Sequence, residues 1–147
     1  MRGWVAIVGS RTIGECSCTV ASKSHAKPGD CPRVQALQFM LRVITRLAKD
    51  PDFVGIVSGE AKGADTYAKE AAKILGVRYE GFTVNPGRES FATRAKWRND
   101  RIVQHASGVV AVFAAGPRSR GTSDTVAKAK AAGLPVHVFH EGHWSEE

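Results

Sequence analysis

Short apolar runs alternate along this sequence with segments of helical periodicity, and this alternation is the feature that most constrains the fold. The first run, Trp4–Val8, is unbroken, which is typical of a strand covered on both faces. Four more runs follow, at Phe53–Val57, Val77–Phe82, Gly108–Ala114 and Pro135–Phe139. Strands that alternate with helices form a parallel sheet with right-handed crossovers. The sequence therefore predicts an α/β fold with a parallel five-stranded sheet in the order 3-2-1-4-5.

The segments between the runs predict four helices. Apolar residues recur at spacings of three and four from Pro32 to Lys49, and a second helix with an alanine-rich face stops at Gly76. A strongly basic helix is predicted from about Glu89 to His105, and a last helix runs to Gly133. The expected inner stripe of the basic helix consists of Phe91, Ala95, Ile102 and Ala106.

Length and hydropathy favour one domain. The chain has 147 residues, 43% of them hydrophobic, which suffices for one core and is short for two. We expect a single domain over residues 1–147, with an irregular cysteine-containing loop at about residues 10–31. The first apolar run ends at Gly9, too early for a signal-peptide core, and no stretch approaches the roughly 18 apolar residues that span a membrane. The expectation is a cytoplasmic protein with no membrane partner.

The charge is basic. The formal net charge is +7, and residues 1–140, without the acidic tail, carry 21 basic and 11 acidic side chains, a charge of +10. Such a surface favours polyanions or phosphorylated small molecules, and it is equally compatible with simple solvation.

Three predicted loops converge on one crevice. In a doubly wound sheet, ligands bind beyond the carboxyl ends of the strands where the winding reverses, here between the first and fourth strands. Ser10-Arg11, Ser58-Gly59-Glu60 and Gly116–Thr122 all follow strands that end at this edge. The last loop joins a strand to a helix through Ser119–Thr122, where free N–H groups and the helix dipole favour an anion. The expected ligand group is a phosphate.

The loop after the first strand excludes two common nucleotide motifs. Gly9–Gly14 lacks the Gly-x-Gly-x-x-Gly spacing, and Glu15-Cys16 stands where a P-loop needs Lys and Ser or Thr. Neither an ATPase nor an ordinary dehydrogenase is predicted. Arg11 is placed to hold a phosphate or carboxylate through two parallel hydrogen bonds.

The loop after the second strand is a further phosphate-loop candidate. Gly59 and Gly63 allow backbone shapes that other residues resist. Glu60, nearer the strand end, is a candidate for a ribose hydroxyl or a general base. Asp65 is either a ligand contact or a helix cap stabilised by the dipole.

The basic helix offers a third contact. Arg94, Arg98 and Arg101 share one side at spacings of four and three, with Trp97 and Asn99 between them. That side could clamp a phosphate or stack a base, or could be only a solvated face.

Four soft ligands fall in or beside the irregular loop. Cys16, Cys18, His25 and Cys31 suit tetrahedral zinc in type and number, although their spacing matches no standard module. Reduced cysteines in a flap over the crevice are the alternative. No cofactor is otherwise required.

Four short motifs, in register along nearly the whole chain, resemble the SLOG superfamily of Rossmann-like domains, in particular its YspA/DUF2493 branch. They are Val5–Arg11, Val57–Asp65, Arg98-Asn99 and Ser119–Asp124. The resemblance implies a Rossmann-like three-layer fold and a sensor or processor of nucleotide-derived ligands. It also implies that these segments line the site, through Gly9, Ser10, Arg11, Ser58, Gly59, Glu60, Gly63, Asp65, Arg98, Asn99, Ser119, Arg120, Gly121 and Thr122.

The resemblance extends to two related families and leaves alternatives open. In the cytokinin-activating phosphoribohydrolases, an arginine and a glutamate after a Gly-Thr act on the N-glycosidic bond of a nucleoside monophosphate. Arg98 could stand for the arginine, but Thr125 occupies the place of the glutamate, so hydrolysis needs Glu60 or Asp124 instead. Glu60 and Arg98 are therefore the catalytic candidates.

The Ser-Gly-x-Ala-x-Gly-x-Asp run is similar to the core of DprA, a single-stranded DNA binder, although few aromatic residues are available here to stack successive bases. The hypotheses are thus a nucleotide binder, a phosphoribohydrolase, a single-stranded DNA binder, or an adaptor with a vestigial site. A homo-oligomer is expected.

Overall fold

The computed structural model describes residues 1–16 and 28–147. The strands in this part of the chain are β1 (Gly3–Gly9), β2 (Phe53–Ser58), β3 (Tyr79–Gly81), β4 (Gly108–Phe113), β5 (Val136–His140) and β6 (Ser145–Glu146). The helices are α1 (Pro32–Leu47), α2 (Ala64–Leu75), α3 (Phe91–His105) and α4 (Arg120–Ala131), with a 3-10 turn at Pro28–Asp30 before α1.

The strands within the described residues form one mostly parallel sheet of six, in the order β3-β2-β1-β4-β5-β6. β1 lies at the centre, where Ala6 pairs with Val57 of β2 on one side and Val109 of β4 on the other. The α/β class is confirmed. The prediction of five parallel strands is wrong at one edge, where β6 pairs antiparallel with β5.

β6 was not predicted from the sequence because it contains no apolar run. It is two polar residues long and is held by backbone pairing and by the contact of Glu146 with His137. Glu147, just beyond it, pairs with His140 at 2.7 Å. The chain turns back through Gly142 and Trp144, both at positive φ.

The sheet separates two apolar cores. Val5 and Ile7 of β1 face the core formed with α1 and α2, whereas Ala6 and Val8 face the core formed with α3 and α4. Both faces of β1 are thus covered, which explains its unbroken apolar run. The result is three layers, with helices on either side of the sheet.

Small residues bring α2 close to the sheet beside the crevice. Ala64, Ala68, Ala71 and Ala72 of α2 are fully buried. A Cβ on Gly9 would lie 2.5 Å from the Cβ of Ala64, so only glycine fits at the end of β1. The start of α2 is therefore packed directly against the carboxyl end of β1.

The structure corrects two boundaries. β3 is shorter than the predicted Val77–Phe82, as befits an edge strand that pairs on one side only. α3 begins at Phe91 rather than Glu89, because Ser90 caps it by accepting a hydrogen bond from the Thr93 N–H at 3.2 Å. None of the helices found in residues 1–16 and 28–147 is both long and apolar enough to cross a membrane.

Candidate functional site

A cavity of about 440 Å³ opens at the carboxyl ends of β1 and β4, where the winding of the sheet reverses. The first turn of α4, the inner face of α3, the turn after β1 and the loops before α2 and α4 line it. Its lining includes these predicted residues: Gly9, Ser10, Arg11, Gly59, Asp65, Arg98, Asn99, Ser119, Gly121 and Thr122. Ser58, Glu60, Gly63 and Arg120 do not line it.

The N-terminal turn of α4 is open to this cavity. Ser119 caps the helix, since its Oγ accepts a hydrogen bond from the Thr122 N–H at 3.4 Å. The N–H groups of Arg120 and Gly121 belong to the first turn and have no acceptor within the helix. Outside the adjacent backbone of α4 and the two neighbouring residues, no atom of the described residues lies within 4 Å of the place that a Cβ on Gly121 would occupy. The turn can therefore receive an anion at its backbone.

The N-terminal turn of α2 is closed. The Ala64 N–H donates to the carbonyl oxygen of Ser10 at 3.3 Å. Gly63, at φ 83°, lies so near that a Cβ there would be 2.5 Å from the carbonyl oxygens of Ser10 and Arg11. The Oδ2 of Asp65 accepts from the Ala61 N–H at 3.1 Å. Carbonyl oxygens and a carboxylate repel an anion, so this turn shapes the cavity and offers no phosphate site.

Ser10 has a similar structural task. It is buried, and its Oγ accepts a hydrogen bond from the Ala114 N–H at 3.1 Å. Its own N–H donates to the Val112 carbonyl oxygen at 3.0 Å. Ser10 therefore joins the ends of β1 and β4 and holds the two walls of the cavity together.

Arg98 places a buried positive charge in the cavity wall. Its side chain, on α3, donates through Nη1 to the carbonyl oxygen of Gly59 and, at 3.3 Å, to that of Phe82. Burial lowers the pKa of Arg98, the negative charge of Asp65 opposes that shift, and the positive charge of Arg11 adds to it. Arg11 and Arg98 thus repel each other within one cavity.

Asp65 is the only acid among the described residues that line the cavity. Burial raises its pKa to about 6, while the Ala61 N–H and the charge of Arg98 act in the opposite direction. Its carboxyl group both binds the loop before α2 and offsets part of the Arg98 charge. The hydrogen bond from Ala61 lies before α2 and is not a helix cap, and a contact of Asp65 with a ligand stays a prediction.

Glu60 lies outside the cavity, although it was a catalytic candidate. Its Oε2 accepts from Lys69 Nζ at 3.0 Å, and its backbone is left-handed at φ 57°. Burial acts to raise the pKa of Glu60, but hydrogen bonds from Lys69 and Tyr79 keep it below its ordinary value. Ser58, just before it, is fully buried with its Oγ 2.5 Å from the Tyr79 hydroxyl. These contacts direct Glu60 toward α2 and β3.

The other carboxyl group considered for hydrolysis is also engaged elsewhere. Asp124 pairs with Lys128 at 3.0 Å and does not line the cavity. Thr125, which occupies the place of the related families' glutamate, is buried and donates to the Gly121 carbonyl oxygen at 3.1 Å. No residue at or near that position supplies a carboxylate to the part of the cavity that the structure describes.

The outer arginines of α3 hold a loop. Arg94 donates to the carbonyl oxygens of Asn85 and Glu89, both at 3.0 Å, and Arg101 donates to that of Thr83 at 2.6 Å. These donors are used by the backbone between β3 and α3. Of these three arginines only Arg98 lines the cavity, and its guanidinium also donates to carbonyl oxygens.

The structure describes only two of the four proposed zinc ligands, Cys16 and Cys31. Cys18 and His25 lie outside the described residues. Cys31 is buried at the start of α1, and Cys16 is partly buried in the turn after β1. Residues 1–16 and 28–147 contain no group of three metal-ligating side chains.

Several lining residues were not predicted. They are small or apolar: Ala95, Ile102, Ala114, Ala115 and Thr125. Helical spacing was the available signal for three of them, since Ala95 and Ile102 share a face of α3 with Arg98, and Thr125 lies one turn after Gly121.

A larger concavity of about 600 Å³ lies between α1, α2 and the turn after β1. Cys16, where the first described stretch ends, forms part of its rim. It contains neither the open turn of α4 nor Arg98. The smaller cavity at the switch point is therefore the candidate site.

The structure is similar to two solved structures. One is TM1055, a structural genomics target, with 18% identity and a TM-score of 0.58 over 91% of this chain and 72% of that chain. The other is the DNA processing protein A (DprA) from Streptococcus pneumoniae, with 20% identity and a TM-score of 0.51 over 92% of this chain. This chain spans 58% of the DprA chain. No family model and no curated protein matches the sequence.

At 18% and 20% identity, these two likenesses are likenesses of fold. The Rossmann-like α/β fold that the four short motifs implied is confirmed.

Proposed function

We propose that this protein binds a nucleotide or nucleotide-derived ligand in the cavity at the ends of β1 and β4, as a sensor or processing protein. The phosphate lies against the first turn of α4, from Ser119 to Thr122, and Arg11 closes over it. The observation that carries the proposal is the open N-terminal turn of α4 in a cavity that also contains Arg11 and Arg98.

Electrostatics support an anionic ligand. Arg98 is fixed by its hydrogen bonds, whereas the guanidinium of Arg11 has neither a hydrogen bond nor an ion pair among the described residues. The positive charge of Arg11 repels that of Arg98, although the negative charge of Asp65 acts on Arg98 more strongly. A phosphate between Arg11 and α4 relieves the repulsion and gains charge-assisted hydrogen bonds.

Size supports a small ligand. The cavity volume of about 440 Å³ falls within the roughly 300–1,000 Å³ of typical small-molecule sites. A mononucleotide belongs to this size class of ligand, whereas a polymer would need a groove that continues along the surface.

Thermal shift with AMP, GMP, CMP and UMP tests the proposal. At a concentration 100 times Kd, binding stabilises the folded state by about 2.7 kcal/mol, which raises Tm by roughly 5–10 °C in a chain of this size. Arg11→Ala should lose most of this shift. Lys130→Ala is the matched control, because Lys130 is an exposed cation near the other end of α4 and does not line the cavity. The proposal fails if no nucleotide raises Tm, or if both variants lose the shift equally.

The acids around the cavity favour binding over hydrolysis. Glu60 and Asp124 are paired with lysines elsewhere, and Asp65 is bonded to the loop before α2. We therefore expect no free base when each monophosphate is incubated with the protein and the products are separated by chromatography. Release of free base would contradict a binding role without catalysis and would assign the missing carboxyl function to Asp65.

A further inference from the structure

Phe91 does not occupy the place that its sequence pattern predicts. Helical spacing assigns it to the buried stripe of α3, yet its side chain is 52% exposed. A single exposed aromatic residue is unremarkable by itself. The exposure of Phe91 is of interest because the side chain lies near the cavity.

Phe91 continues the face of α3 that lines the cavity. Ala95, Arg98 and Ile102 line it from successive turns of the helix. Phe91 lies one turn before Ala95 and shares that face. The guanidinium of Arg11, itself a lining residue, is 5.9 Å from the centre of the Phe91 ring. The ring is not itself among the lining residues, and it therefore lies just outside them, beside Arg11.

Two guanidinium groups lie near the Phe91 ring, that of Arg94 and that of Arg11. Arg94 lies 5.8 Å from the ring centre and is anchored to two carbonyl oxygens of the preceding loop. Ser90 fixes the helix start at this point. The Arg11 guanidinium, in contrast, makes only the ring contact among the described residues. It can leave the ring at little cost when an anion binds.

We propose that Phe91 is the platform on which the nucleobase of the ligand stacks, while Arg11 moves from the ring to the phosphate. This inference rests on the proposed function and defines the ligand class further, as a phosphate ester that carries an aromatic heterocycle. Every base has a π face, so stacking on Phe91 separates nucleotides from plain sugar phosphates and discriminates weakly among bases.

Calorimetric titration with AMP, UMP and ribose 5-phosphate tests the inference. The wild-type protein should bind both nucleotides more tightly than ribose 5-phosphate. Phe91→Ala should weaken AMP binding by roughly 5- to 150-fold, the equivalent of one lost base stack. Its affinity for ribose 5-phosphate should stay unchanged, and Phe91→Trp should restore AMP binding.

Trp97→Ala is the matched control, because Trp97 is the other exposed aromatic residue of α3 (50%) and does not share the face of Phe91, Ala95 and Ile102. It should bind AMP like the wild type. A Phe91→Leu variant, with Tm measured alongside, keeps the apolar bulk and removes the aromatic face. It should bind AMP as weakly as Phe91→Ala while retaining the wild-type Tm.

Other results overturn the inference. Equal affinity of the wild type for AMP and ribose 5-phosphate would remove the base platform and leave the proposed phosphate site intact. Loss of both ligands in Phe91→Ala would assign the ring a structural role. Phe91-dependent binding of oligothymidylate without binding of AMP would point to nucleic acid instead. If the wild type binds neither AMP nor ribose 5-phosphate, the proposed function fails as well.

Discussion

Gly121→Ala separates the two roles of the first α4 turn, which are to begin a helix and to bind an anion. Gly121 is a helical residue and lines the cavity. Outside the adjacent backbone of α4 and the two neighbouring residues, a Cβ there meets no atom of the described residues within 4 Å. The added methyl group therefore fits the free protein without a clash. We expect it to occupy the space that a phosphate needs beside the Gly121 N–H.

Gly121→Ala should stabilise the free protein and weaken phosphate binding. Replacing a helical glycine by alanine stabilises a protein by about 0.4–1 kcal/mol, mainly through the unfolded chain. For a chain of this size that raises Tm by roughly 1–4 °C. Loss of one charge-assisted hydrogen bond costs about 1.5–3 kcal/mol, which weakens phosphate binding roughly 10- to 150-fold. Gly121→Ala should thus be more stable than the wild type without ligand and less responsive to ligand.

Both effects are measured in one experiment, by differential scanning calorimetry with and without AMP. The expected result is a higher Tm for Gly121→Ala without AMP and a much smaller increase when AMP is added. A ligand-induced shift equal to that of the wild type would show that the phosphate lies elsewhere. A lower Tm without AMP would show that the Cβ position is not free, and the structural argument would fail.

Three further predictions concern the folded state. Gly76→Ala should lower the free energy of unfolding in urea by about 1–2 kcal/mol, because Gly76 ends α2 in the left-handed conformation, at φ 68°. The space for its Cβ is open, so an unchanged free energy of unfolding would contradict the left-handed conformation of this residue. Burial raises the pKa of Asp65 to about 6, above roughly 4 in the unfolded chain, so its contribution to stability is present below pH 4 and is lost as the pH rises to 6. The stability of Asp65→Asn minus that of the wild type should therefore rise by up to about 3 kcal/mol between pH 4 and 6, and a flat difference would contradict the raised pKa. Arg98→Ala should cost about 2–6 kcal/mol in the same urea assay, since it leaves two carbonyl oxygens without a donor at about 1–3 kcal/mol each, whereas a loss below 1 kcal/mol would mean that water replaces the guanidinium.

The sheet could be predicted because its strands are buried on both faces. Unbroken runs such as Trp4–Val8 have few other interpretations when helices separate them. β6 could not be predicted in this way, since Ser145–Glu146 is held by backbone pairing and histidine contacts rather than by apolar burial. Phe91 shows the opposite case, because its spacing matches the buried stripe of α3 and its side chain is nevertheless exposed.

The site could be predicted as a region, but not in the direction of each side chain. Strand ends meet at one edge of a parallel sheet, so the loops after β1 and β4 had to converge. The starts of α2 and α4 look equivalent in the sequence. They differ in the structure because the Ser10 carbonyl oxygen accepts a hydrogen bond from the Ala64 N–H at the start of α2. The first turn of α4 has no such contact within the described residues and remains open. Glu60 turns away because Lys69 and Tyr79, distant in sequence, hold it.

Titration of the ¹⁵N-labelled protein with AMP, followed by amide chemical shifts, tests the central claim most directly. The account predicts the largest shifts at Arg120, Gly121 and Arg11, where the phosphate binds. Largest shifts at Ala64 and Asp65, or no saturable shift at any amide, would contradict it.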